Sequence, residues 1–101
     1  MQTLDVLADP NRRRIVELLA DGPMSAGSVA AHFEISRPAV SQHLGILVEA
    51  DVLTMHSEGT RHIYAIRPAA LLEAGDWLTA QATRWGRALD ALETRLDQGD
   101  L

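Results

Sequence analysis

The stretch that decides the fold of this chain reads Ser36-Arg37-Pro38-Ala39-Val40-Ser41-Gln42-His43-Leu44-Gly45-Ile46-Leu47. Val40, Leu44, Leu47 and the following Val48 recur at the spacing of one helix face and so form a single apolar stripe. Ser36 is a good N-cap, and a proline two residues later is permitted in the first turn of a helix. The pattern therefore predicts a helix over residues 36–50 whose apolar side docks on its own domain.

The opposite flank of this predicted helix carries three small or medium polar side chains, Ser41, Gln42 and His43. A short helix with an apolar back and hydrogen-bonding groups in front can enter the major groove of DNA while docked on its domain. The preceding helix is predicted from Ala26 to Phe33, capped by Ser25, and a three-residue turn over 34–36 follows it. Two helices joined by such a short turn make a helix-turn-helix.

Clear start and stop signals surround this motif. A short helix is predicted from Thr3 to Ala8, and Asp9-Pro10 begins a second helix that runs to about Ala20. After Asp51 the period changes, and apolar and polar residues alternate on both sides of a glycine-containing turn. This alternation predicts a β-hairpin wing over residues 53–66, in which Leu53 and Met55 share a face with Ile63 or Tyr64.

A last helix is predicted over residues 68–98, and its apolar positions are spaced alternately by four and three residues: Leu71, Gly75, Leu78, Ala82, Trp85, Leu89, Leu92 and Leu96. A 3.5-residue period is typical of a seam that packs against another helix. At about 1.5 Å per residue the helix spans roughly 45 Å, so a second copy of the chain is the natural cover. The alternative is a helix folded back on its own domain. The predicted interface comprises Leu4, Leu7, Leu71, Leu78, Trp85, Leu89 and Leu92, with residues 3–8 joining the last helix.

These elements predict one winged helix-turn-helix domain over 1–101, mainly α, with five helices, two strands and a dimeric assembly. A chain of 101 residues that is 47% hydrophobic can bury a core of its own. It has no run of about 18 apolar residues and no leader pattern, so we expect no membrane association and a cytoplasmic location. The absence of cysteine excludes disulfides, thiolate metal sites and thiol redox sensing.

The net charge of −5 argues at first against a nucleic-acid partner. The excess is concentrated at the end, since residues 68–101 hold three arginines against six acids and so contribute −3. Residues 25–67 hold three arginines against four acids, together with all four histidines. All nine basic residues are arginine, which suits bidentate phosphate contacts; the alternative explanation is the composition of the genome. Charge therefore neither supports nor excludes DNA binding.

Three stretches together resemble the ArsR-type winged helix-turn-helix repressor family over essentially the whole chain. They are Leu7-Ala8-Asp9-Pro10-Asn11-Arg12 with its continuation to Leu19, the segment from Ser36 to Leu53, and Gly59-Thr60-Arg61-His62-Ile63-Tyr64-Ala65-Ile66. One such stretch is moderately specific, and three in register are strongly specific. The resemblance implies a homodimeric transcriptional repressor that binds an inverted-repeat operator on double-stranded DNA.

The same resemblance implies which residues face DNA: Ser36, Arg37, Pro38, Ser41, Gln42 and His43 on the recognition helix, Arg61 past the wing turn, and Arg12 and Arg13 at the edge. Gln42 can pair with adenine in a bidentate manner, and Ser41 can contact a base or a phosphate. Arg61 is expected to reach a phosphate or the minor groove. Other roles stay open: Ser36 as a cap, His43 as cover for the helix surface, and Arg13 as a solvated charge.

Many members of this family sense metals, but this chain departs from that pattern. It has no cysteine, and its last helix carries carboxylates without histidine, whereas zinc and softer ions need imidazole or thiolate. Asp90, Glu93 and Asp97 share a face and fit a solvated acidic stripe better than a weak site for a hard cation. His56 and His62 lie on neighbouring wing strands and are expected to be able to approach one another, but two ligands alone make no zinc site. We therefore predict a non-metal-sensing member with no metal site and no cofactor.

No catalytic constellation or glycine-rich phosphate loop is evident, so the chain is not expected to be an enzyme. The alternative function is a winged-helix protein-protein interaction module without sequence-specific DNA binding. Protein-binding faces usually present large apolar anchors, which the polar flank lacks. The inducer stays open between a small molecule, a partner protein and none.

Overall fold

Eight elements follow one another in the computed structural model, which describes residues 1–99. They are α1 Gln2–Val6, α2 Pro10–Leu19, β1 Met24–Ser25, α3 Ala26–Ala30, α4 Arg37–Glu49, β2 Leu53–Glu58, β3 Arg61–Ile66 and α5 Pro68–Asp97. The mainly helical, winged helix-turn-helix fold predicted from the sequence is confirmed. The described chain forms two compact units, Met1–Leu71 and one that begins at Leu72. The last two residues of the predicted range 1–101 lie outside the described residues.

The three predicted helix starts that carry a capping residue are confirmed. At the start of α3 the backbone N–H of Ser28 donates to the Ser25 hydroxyl oxygen at 3.1 Å. The Asp9 carboxylate accepts hydrogen bonds from the backbone N–H of Asn11 at 2.8 Å and of Arg12 at 3.2 Å, at the start of α2. The Ser36 hydroxyl oxygen accepts from the backbone N–H of Ala39 at 3.2 Å, at the start of α4. Each cap satisfies backbone donors that the first helical turn leaves without a partner.

The helix before the turn is shorter than predicted, because α3 ends at Ala30 rather than at Phe33. The backbone N–H of His32 donates to the carbonyl of Val29, and that of Phe33 to the carbonyl of Ala30, each at 3.1 Å. These bonds span three residues instead of four and tighten the chain into 3₁₀-type turns. The connection to α4 is therefore longer than the three-residue turn expected from the sequence.

The wing is a three-stranded antiparallel sheet in the order β1-β3-β2 rather than a two-stranded hairpin. Strand β1 has only two residues, Met24 and Ser25, which pair with Tyr64 and Ile63. A two-residue strand is too short to show alternation, so the pattern could not predict it. In the hairpin Met55 lies opposite Tyr64, which settles the register that the sequence left open. Gly59 begins the tight turn with φ at 63°, a conformation that glycine adopts without strain.

The core of the first unit is aliphatic and takes its largest fully buried side chains from α2, α3, α4, β2 and the turn before β2: Ile15, Val29, Val40, Leu44, Leu47, Val52 and Leu53. In α4 the predicted apolar stripe is buried, with Val48 half-buried at its margin. In α1 the buried positions are Thr3 and Val6, whereas Leu4 and Leu7 are half-buried. Truncating a fully buried leucine typically costs about 2–5 kcal/mol, so this stripe fixes α4 on its domain.

The second unit consists of the greater part of α5, which is 30 residues long in all. Its seam side chains are exposed in the single chain: Leu78, Trp85, Leu89, Leu92 and Leu96. Monomeric proteins rarely leave a continuous apolar stripe of this kind open to water. Within residues 1–99, no helix is both long and apolar enough to cross a membrane.

Candidate nucleic-acid interface

The polar flank of α4, formed by Ser41, Gln42 and His43, lies on the side of the helix away from the core. Ser41 and Gln42 are exposed and His43 is half-buried, while the neighbouring Val40 and Leu44 are buried. Packing therefore fixes the backbone of α4 while the polar flank stays accessible. Such a helix can present hydrogen-bonding groups to base edges without leaving its domain.

A cleft of about 310 Å³, here called the arginine cleft, separates the start of α4 from the tip of the wing. Arg37 lines it from the first turn of α4, and Arg61 lines it from the first residue of β3. Ser25, Ala26, Gly27, Thr60 and His62 complete its walls. Two guanidinium groups predicted from separate motifs thus border one open cleft, an arrangement suited to the phosphates of a polyanion.

Gly27 allows the Arg37 side chain to lie against α3. A Cβ atom added at Gly27 would come within 3.1 Å of Nη2 of Arg37. That contact is tighter than ordinary van der Waals packing, so a Cβ at position 27 would require the guanidinium to shift by a few tenths of an ångström. The small residue in α3 therefore helps to set where Arg37 stands in the arginine cleft.

Arg12 and Arg13 both donate to backbone carbonyls at the end of α1. Nε of Arg12 donates to the Val6 carbonyl at 2.6 Å, and Nη1 of Arg13 donates to the carbonyls of Leu7 and Ala8, each at 3.0 Å. The last carbonyls of a helix lack partners within it, and cations are favourable there. The two arginines therefore attach α1 to α2, a role that sequence reasoning missed; their predicted contact with DNA stays a prediction.

A second contact of Arg12 reaches the recognition helix. Its Nη1 atom lies 3.3 Å from Nδ1 of His43, which joins α2 to the polar flank of α4. The two residues are 31 positions apart in the chain, and no local pattern of spacing connects them. The structure thus brings together two residues that the sequence placed in separate motifs.

Asp9 adds a negative charge beside this contact. Desolvation raises the pKa of Asp9. The backbone hydrogen bonds from Arg12 and Asn11, together with the nearby charge of His43 and Arg12, lower the pKa by more than desolvation raises it. The net effect is a pKa below the usual value of 3.8, because the ionised carboxylate is the better hydrogen-bond acceptor. Asp9 is therefore ionised at neutral pH and caps α2 next to Arg12.

The expectation that His56 and His62 could approach one another is wrong. His56 lies opposite Ile63 and His62 lies opposite Ser57, so the two imidazoles are on opposite faces of the sheet. Nε2 of His56 instead lies 3.6 Å from Oε2 of Glu58. Over residues 1–99, no group of three or more His, Asp or Glu side chains is placed to hold a metal ion.

The chain is similar to known transcriptional regulators and spans most of their length. A family model described as a helix-turn-helix domain matches residues 7–56. The transcriptional repressor SdpR of Bacillus subtilis is 40% identical over 72 residues, which cover 71% of this chain and 80% of the relative. The regulator Rv2034 of Mycobacterium tuberculosis is 42% identical over 96 residues, covering 93% and 86% of the two chains.

Solved structures of transcriptional regulators superpose on this chain as well. An ArsR-like transcriptional regulator from Rhodococcus sp. RHA1 superposes with a TM-score of 0.79 at 26% identity, covering 92% of this chain and 88% of its own. The homodimeric winged helix-turn-helix DNA-binding domain of Mb0332 from Mycobacterium bovis superposes with a TM-score of 0.66 at 26% identity, covering 79% and 76%.

Proposed function

The chain belongs to the ArsR-type family of winged helix-turn-helix transcriptional regulators, and from this premise we propose that it is a repressor that binds an inverted-repeat operator as a homodimer. The observation that carries the proposal is the exposed polar flank of a well-packed α4 beside the arginine cleft. One element offers groups that read bases, and the other offers cations that hold the backbone. The relatives named above are called transcriptional regulators, and we propose that this protein is likewise a regulator, located in the cytoplasm, and not an enzyme.

We assign the sequence-reading contacts to the polar flank. Gln42 is exposed and can form a bidentate pair with adenine, and Ser41 beside it can donate to a base or a phosphate. Arg37 and Arg61 contact phosphates from the two sides of the arginine cleft. Ser36 and Pro38 lie at the start of α4, where the Ser36 hydroxyl oxygen already caps the helix and its proton is free to donate.

The homodimer is proposed on the exposed seam of α5, formed by Leu78, Trp85, Leu89, Leu92 and Leu96. Leu4, Leu7 and Leu71, half-buried in the first unit, are proposed to join this interface. The homodimeric state of the Mb0332 domain supports a two-fold arrangement. Two recognition helices related by such an axis would enter successive major grooves about 34–36 Å apart, hence an operator with half-sites about one helical turn apart.

We further propose that DNA binding by this member does not respond to transition metals. The chain contains no cysteine, and histidine is absent from α5. In the part of the chain that the structure describes, no three potential ligands converge. Induction would then come from a small molecule between the long helices or from a partner protein, or the protein would act by autoregulation alone.

A gel-shift titration with the promoter region of its own gene tests the proposal. We expect a specific shift with the wild type. Gln42→Ala should weaken binding to the cognate site by about 1–3 kcal/mol of free energy, because the bidentate contact between Gln42 and a base is lost. Arg61→Ala should weaken cognate and random DNA alike and reduce the salt slope by about one. If alanine at positions 41, 42 and 43 together left specific binding intact, α4 would not read the operator. Capture of a protein in place of DNA would favour the interaction-module alternative.

A further inference from the structure

The chemistry that His43 presents to DNA depends on where its proton lies. A neutral imidazole carries one N–H donor and one bare acceptor nitrogen, and either nitrogen can hold the proton. Ser41 and Gln42 differ from His43 because each always carries both a donor and an acceptor. The residue next to His43 therefore determines whether the ring nitrogen that faces the operator is a hydrogen-bond donor or an acceptor.

That neighbour is the guanidinium of Arg12, whose Nη1 lies 3.3 Å from Nδ1 of His43. A guanidinium stays protonated and offers donors without any acceptor. In this contact Nδ1 must therefore accept, so the ring proton is on Nε2. The two ring nitrogens point apart, and Nε2–H is directed away from Arg12.

Arg12 is held in this orientation independently of His43. Its Nε donates to the Val6 carbonyl at 2.6 Å, which anchors the guanidinium at the end of α1. The side chain is half-buried, which restricts its rotamers. The guanidinium is therefore a preset donor, and the imidazole adapts to it rather than the reverse.

We propose that Arg12 is a positioning residue that fixes the Nε2–H tautomer of His43, so that His43 meets the operator as a hydrogen-bond donor. The inference rests on the proposed function and refines it at one position. In the major groove a lone donor fits guanine O6 or N7, adenine N7 or thymine O4, and it opposes the N4 amino group of cytosine. The base edge that faces His43 is therefore an acceptor edge.

The tautomer can be measured on the free protein, without any DNA. Long-range ¹H–¹⁵N spectra at about pH 8, where an ordinary histidine is neutral, report which ring nitrogen carries the proton. We expect the Nε2–H form for His43 in the wild type and a mixture of both forms in Arg12→Met. Arg13→Met is the matched control, because Arg13 also donates to the end of α1 but does not contact His43; its His43 spectrum should match the wild type.

A wild-type His43 with its proton on Nδ1, or a spectrum that Arg12→Met leaves unchanged, would overturn the inference. Circular dichroism shows whether Arg12→Met folds. If it does not, Arg12→Lys replaces it, because lysine keeps the charge but loses the forked donor geometry. The wild-type spectrum decides the tautomer by itself in either case.

A double-mutant cycle then tests the effect on DNA. His43→Ala removes the imidazole, so no tautomer is left for Arg12 to fix. We expect Arg12→Met to weaken cognate operator binding roughly tenfold in the wild-type background and much less in the His43→Ala background. An equal loss in both backgrounds, with the salt slope lowered by about one, would instead assign Arg12 to a phosphate and refute the positioning role.

The proposed function and the role of Arg12 can be refuted independently of one another. If the wild type showed the Nε2–H tautomer but bound no operator, the proposed function would fail, and the claim about the base edge would fail with it. If the wild type bound its operator but His43 carried the proton on Nδ1, only the proposed role of Arg12 in fixing the tautomer of His43 would be refuted.

Discussion

Replacing Trp85 with alanine is the most direct perturbation of the proposed dimer seam. Trp85 lies midway along the exposed stripe of α5 and is 69% exposed in the single chain, and Leu89, one turn further on, is 61% exposed. A large side chain this open to water contributes little to the fold of one chain. Its loss should therefore act on association and leave the helix content unchanged.

The size of the effect follows from the exposed area. A tryptophan side chain can bury about 150–250 Å², so the part left open on Trp85 is roughly 150 Å². If the partner covers half of it, about 75 Å² at about 25 cal/mol per Å² gives roughly 2 kcal/mol for each protomer. Two-fold symmetry doubles this to about 4 kcal/mol, which raises the dimer dissociation constant by about three orders of magnitude.

Sedimentation velocity over a concentration series measures this change. The wild type should sediment at twice the chain mass of 11.0 kDa at micromolar concentration, whereas Trp85→Ala should dissociate in the same range. Trp77→Ala is the matched control, since Trp77 is 46% exposed on the same helix but lies off the seam, about 100° around the axis from Leu78. A monomeric wild type, or an equal effect of the two tryptophan substitutions, would refute the seam.

Three further predictions concern the first unit and metal ions. Gly27→Ala should leave the fold intact, because alanine favours a helix by about 1 kcal/mol over glycine, and the Arg37 guanidinium need yield only by a few tenths of an ångström. Titrations of DNA at several salt concentrations should therefore show a small loss of affinity, and a loss as large as that of Arg61→Ala would contradict this expectation. Folding lowers the pKa of Asp9, so the ionised carboxylate stabilises the folded protein. This stabilisation is fully present above the unfolded pKa of 3.8 and is lost as the pH falls through the lower pKa of the folded state. Asp9→Asn, which still caps α2, should therefore flatten the fall of the melting temperature on acidification, and an unchanged pH profile would contradict the assignment. The affinity for the operator should be the same in the presence of zinc as in the presence of a chelator. Sub-micromolar zinc binding that releases the protein from DNA would contradict the prediction that this member does not sense metals.

What the sequence predicted well was encoded locally. The start of α4 depends on Ser36 and Pro38, its docking depends on an apolar stripe, and both signals lie within a few turns of one another. The length of α5 follows in the same way from its unbroken period. Such features need no knowledge of the rest of the chain, because the helix period and the cap chemistry are sufficient.

What the sequence missed depends on contacts between distant segments. Strand β1 exists because Met24 and Ser25 pair with β3, and two residues carry no period of their own. The end of α3 depends on the tight backbone turns at His32 and Phe33, where ordinary helix formers leave the helical hydrogen-bond pattern. The Arg12–His43 contact depends on how α2 packs beside α4, and composition or spacing cannot show it.

The attachment of α1 is redundant, and this redundancy makes the role of Arg12 separable. Arg12 donates to the Val6 carbonyl, while Arg13 independently donates to the carbonyls of Leu7 and Ala8. Losing Arg12 therefore leaves two of the three side-chain hydrogen bonds that hold the end of α1, so α1 should stay in place. The contact with His43 has no such substitute, because Arg13 does not make it. An effect of Arg12→Met on the imidazole proton can thus be traced to the lost donor rather than to a detached helix.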